Sequence, residues 1–64
     1  MSNLMGNYAA AYFNLGVSFE HLKQIKLGTQ AFERALVITK MHMPSNKAMI
    51  NSLEQAIDSL RKKT

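Results

Sequence analysis

The sequence predicts an all-α chain of three helices, and three observations carry that prediction. Apolar residues recur at steps of three and four along most of the chain. Runs that alternate apolar and polar residues are short, and β-branched residues are few. Pro44 is the one proline, and Gly6, Gly16 and Gly28 are the only glycines, so strong helix breakers are few.

The first helix is expected over about Asn3–Lys23, with Asn3 or Asn7 as N-cap. Its stripe is Leu4, Tyr8, Tyr12, Leu15, Phe19 and Leu22. The periodicity breaks at Lys23, Gln24 and Ile25 and resumes in a new phase at Phe32, Ala35, Leu36, Thr39 and Met43. That is a second helix over about Lys26–His42, and the short connection makes the two antiparallel neighbours. Pro44 cannot continue the second helix and biases Met43 away from helical angles. Ser45 is the expected N-cap of a third helix over about Asn46–Lys63. Met49, Ile50, Leu53, Ala56, Ile57 and Leu60 form its apolar stripe. Glu54 and Asp58 lie opposite, with Asp58 one helical turn before Lys62 in the favourable order.

A glycine inside a helix costs about 1 kcal/mol relative to alanine, so Gly16 calls for a packing reason. Gly16 in the first helix, with Gly28 and Ala35 in the second, would let two antiparallel backbones approach closely. Tyr12, Phe19 and Phe32 would then fill the space on either side.

Tyr12-x2-Leu15-Gly16-x2-Phe19 followed by Gly28-x3-Phe32-x2-Ala35 resembles the tetratricopeptide repeat, a helix–turn–helix unit of about 34 residues. The match runs from Ala9 to about His42, and its spacing holds without a gap from Tyr12 to Ala35. Tyr12 replaces the usual Trp, Phe19 the usual Tyr and Gly28 the usual Ala. Lys40 stands where the family has proline, and Pro44 follows later, so a second helix or loop one turn longer is expected. In the third helix Ile50, Leu53 and Ile57 match the large positions and Glu54 takes the glycine position. The resemblance therefore implies one repeat over about 9–42 and a capping helix over about 46–63, within a single domain of 64 residues.

The resemblance also implies a protein–protein interaction module that binds its ligand on the concave face of first helices. The matching positions here are Ala10, Phe13, Val17, Glu20 and His21, with Asn14 beside them. Some members hold a C-terminal carboxylate with a clamp of Lys, Asn and Arg. Phe13 and Val17 stand where Lys and Asn would, so an apolar or helical partner segment fits better.

Apolar periodicity gives a related expectation by itself. At about 100° per residue, Ala10, Phe13 and Val17 fall nearly opposite the stripe of Tyr8, Tyr12, Leu15 and Phe19. Val37 and Met41 are a second apolar surplus on the second helix. A third helix can cover part of this surplus, and one helix does not cover both flanks. About three repeats are normally needed to bury such faces, so association is expected, either with a partner protein or with another copy.

Composition excludes several classes. With no cysteine there is no disulfide and no thiolate metal site, which suits a cytoplasmic, reducing setting. No apolar run reaches the roughly 20 residues of a membrane span, and no signal-peptide pattern is present. The net charge of +4 owes much to Arg61, Lys62 and Lys63, which can bind nucleic acid or simply complement a helix C-terminus. The second reading is favoured, because no aromatic residue interleaves with them. His21 and His42 fall near helix C-termini and lack a ligand set for zinc, so neither metal nor cofactor is expected. With no nucleophile, acid–base pair or phosphate loop at a recognisable spacing, an enzyme is not expected. The five methionines suit either core filling or a plastic binding surface.

Overall fold

The computed structural model describes residues 4–63 and contains three helices, α1 (Leu4–His21), α2 (Ile25–His42) and α3 (Lys47–Arg61). The chain is an all-α antiparallel helix–turn–helix with a third helix at its C-terminal end. The helix α1 runs through Asn7, which is therefore not its N-cap, and Asn3 lies outside the described residues.

The α1–α2 turn closes through backbone bonds. The Gln24 N–H donates to Phe19 O at 2.8 Å and the Lys23 N–H to Glu20 O at 3.0 Å. This is the Schellman arrangement, which satisfies carbonyls left over at a helix end. Its left-handed residue is Lys23, with φ of 62°, where glycine is the usual occupant. Helix α2 continues past Lys40 and stops at His42, just ahead of Pro44, as the late proline led one to expect. The Met43 N–H closes its last turn on Thr39 O at 2.8 Å. The cap of α3 is Asn46 and not Ser45: its side-chain oxygen accepts from the Met49 N–H at 3.2 Å. The cap moves by one residue because the helix begins at Lys47, which puts Asn46 in the flanking position three residues before the Met49 N–H.

Helix α2 is central and packs against both α1 and α3. Its buried residues are Gly28, Ala31, Phe32, Ala35 and Thr39, and the Thr39 hydroxyl donates back to Ala35 O at 2.8 Å. Phe32 and Ala35 join Leu53, Ile57 and Leu60 of α3 in the core cluster. Burying a side chain the size of Phe32, Leu53 or Leu60 stabilises by about 1.5–3 kcal/mol each.

The two glycines sit where α1 and α2 cross. A Cβ on Gly16 would lie 2.7 Å from Cδ1 and Cε1 of Phe32. A Cβ on Gly28 would lie 3.3 Å from the Gly16 carbonyl oxygen and 3.3 Å from Cδ1 of Leu60. All three helices therefore converge on this crossing. Among the described residues there are four ion pairs: Lys40–Glu54 at 3.5 Å and Arg61–Glu33 at 3.2 Å join α3 to α2, and Lys63–Glu20 at 3.1 Å reaches α1. The fourth, Lys62–Asp58 at 3.2 Å, is the one-turn pair expected on α3. Each is exposed and contributes at most about 1 kcal/mol.

Two predictions follow from this geometry. Gly16→Ala gains about 1 kcal/mol of helix propensity but drives a methyl into a ring that is fully buried and cannot retreat. A net loss of about 1–2 kcal/mol is expected, and Phe32→Leu in the same chain should recover part of it. A thermal melt in which Gly16→Ala unfolds above the parent would refute the close contact. Lys23→Gly should stabilise by about 0.5–1 kcal/mol, because the left-handed strain exceeds the unfolded-state entropy that glycine adds. The denaturant midpoint reads this directly, and a lower midpoint would show that the Lys23 side chain makes a compensating contact.

Candidate interaction surface

The two apolar stripes of α1 share the packing that periodicity assigned to one: Tyr12 of the expected stripe packs against the core cluster, and so do Phe13 and Val17 of the surplus. Phe13 and Val17 are half-buried and pack against the cluster of Phe32, Ala35, Leu53, Ile57 and Leu60. The Phe13 ring meets Phe32 edge-on, with centroids 5.4 Å apart and planes at 71°. These two residues are thus part of the hairpin's own packing, not a surplus pointing away from it. The physical reason is Phe32 of α2, whose ring the Phe13 edge meets and which Leu53, Ile57 and Leu60 of α3 join in one cluster.

Part of the expected stripe is left open. Tyr8 is 53% exposed and Leu15 45%, although both were expected to pack within the hairpin. Leu22 is exposed as well, while Tyr12 and Phe19 are half-buried. Between the helices this flank forms a shallow groove lined by Tyr12, Leu15 and Phe19 from α1 and Leu27, Gln30, Ala31 and Arg34 from α2. Leu27 is itself 44% exposed. Ala31 lies buried at the bottom of the groove.

The remaining site residues named from the sequence divide as follows. Ala10, Asn14 and His21 are exposed. Glu20 is half-buried and engaged by Lys63. Val37 and Met41 are exposed on α2. His21 and His42 occupy the last turns of α1 and α2. Met49 packs against the core.

Leu27 and Arg34 were missed as lining residues. The signal was present: Leu27, Arg34 and Met41 repeat every seven residues, out of phase with Phe32, Ala35 and Thr39. Among the described residues no group of three or more His, Asp or Glu could hold a metal ion, and no helix is long and apolar enough to cross a membrane. No family model, curated protein or solved structure matches the chain.

The packing of Phe13 yields a prediction opposite to the one its sequence position suggests. Phe13→Glu should lower stability by about 2–3 kcal/mol, because it removes the edge contact on Phe32 and places a charge beside the core. Circular dichroism during a thermal melt gives the answer; an unchanged melting temperature would free Phe13 for a role at the surface.

Proposed function

We propose that this chain is a protein-interaction module of tetratricopeptide-repeat type that docks an apolar or helical segment of a partner protein. The docking surface is the open flank of the α1–α2 hairpin. One observation carries this reading: Phe13 and Val17 pack against the core cluster, whereas Tyr8, Leu15 and Leu27 stay exposed, the last two lining a groove. Contiguous apolar surface of this kind on a small chain is an interaction site by preference. The tight crossing at Gly16 and Gly28 supports the repeat resemblance, since it places small residues where the repeat pattern has them.

A groove between two antiparallel helices suits a third helix laid along it, with anchors at every three or four residues. Leu15 and Leu27 are the anchors on this side. Neither belongs to the buried cluster, so both can be changed without emptying the core. The competing occupant is a second copy of the chain, seated on the same surface.

The test compares the parent with Leu15→Glu/Leu27→Glu as immobilised baits. The variant should keep its helicity and lose the proteins that the parent retains, since one buried apolar anchor contributes about 2 kcal/mol or more to an interface. Equal retention by both baits, with helicity intact, would place the interface elsewhere on the molecule. Val37 and Met41 would then be the next surface to change.

A further inference from the structure

We infer that the segment docking on this flank is an acidic amphipathic helix; this rests on the interaction reading above and adds the charge of the partner. The inference comes from how the chain distributes its own charges. It has eight Lys and Arg residues but only four Asp and Glu. All four carboxylates are engaged within the chain: Glu20 by Lys63, Glu33 by Arg61, Glu54 by Lys40 and Asp58 by Lys62. Lys23, Lys26, Arg34 and Lys47 take part in no salt bridge among the described residues.

Two of these cations border the open flank. Arg34 lines the groove itself, beside Leu15, Leu27 and Ala31. Lys26 stands two turns earlier on α2, and Gln30 between them lines both the groove and the adjoining depression that holds Lys26. No carboxylate lines the groove. Tyr12, Leu15, Phe19 and Leu27 thus share the groove with one charged residue, Arg34, while Lys26 and Glu33 stand in the depressions beside it and Glu33 is already held by Arg61.

A second copy fits this surface poorly. It would bring its own Lys26 and Arg34, and its Asp and Glu side chains are already engaged, so the two surfaces would repel. A helix with an apolar stripe and Glu or Asp along one edge supplies both parts that the flank lacks. Arg34 can take such a carboxylate in a bidentate contact, and Lys26 can meet a second one two turns further along.

Two synthetic amphipathic helical peptides with one shared Leu/Phe face decide the matter, one edged with Glu and the other with Lys. Fluorescence anisotropy on the intact chain should show the Glu peptide binding about tenfold tighter at low salt, with the gap narrowing as salt rises. Arg34→Glu should abolish or reverse the preference. Lys47→Glu changes the net charge equally at the start of α3, outside the groove, and should leave the preference in place. Equal binding of both peptides, lost together in Leu15→Glu, would overturn the acidic partner and leave the interaction module standing. Binding of neither peptide would overturn both. A preference that Lys47→Glu weakens as much as Arg34→Glu would reduce it to general charge and overturn the site. A stable dimer in sedimentation, broken by Leu15→Glu, would make the second copy the occupant.

Discussion

Gly16 leaves room for the ring of Phe32, and that one vacancy sets the geometry of the hairpin. Without a side chain on α1 at this point, Phe32 can lie against the helix backbone while Phe13 meets its edge. Gly28 then comes close to the carbonyl of Gly16, and Leu60 of α3 reaches the same place. The cost in helix propensity is about 1 kcal/mol per glycine. The dispersion contacts and buried area of Phe32, Leu53 and Leu60 outweigh it, because each of those side chains is fully enclosed.

A core this small leaves little margin. It rests on a few large side chains and a row of small ones, Ala9, Ala31 and Ala35, that hold the helices close. A 64-residue chain without cysteine has no covalent staple. The ion pairs bring α3 onto both α1 and α2, yet each lies in water and contributes little alone. Their larger consequence is electrostatic. By engaging every carboxylate they leave the positive charge of the molecule concentrated on Lys23, Lys26, Arg34 and Lys47.

The hairpin has two flanks, and α3 can cover only one. It packs on α2, where Arg61 meets Glu33, and reaches α1 through Lys63 and Glu20. The flank of Tyr8, Leu15 and Leu27 is open. Loosening α3 would expose the apolar side chains it now encloses, Phe32 among them.

Element type and order were legible from residue spacing. The stripe of α3 matches its buried residues, because that helix has one apolar face and a polar remainder; in α2 Phe32, Ala35 and Thr39 are buried as expected, while Leu27, Val37 and Met41 leave apolar surface elsewhere on the helix. Gly16 and Gly28 announced the crossing, since a helix keeps such residues only where something lies against them. The helix α1 was harder, because apolar residues lie on two sides of it and periodicity gives no order between them. Which of them joined the core was decided by where Phe32 and α3 settle, through contacts between residues far apart in sequence. The terminal Arg61, Lys62 and Lys63 read as a solvated tail until the fold brought Glu33 and Glu20 within reach of two of them. Sequence determined the helices and their packing residues through local spacing. Tertiary structure alone decided which flank stayed open and which charges stayed uncommitted, because both depend on long-range contacts that local spacing does not encode.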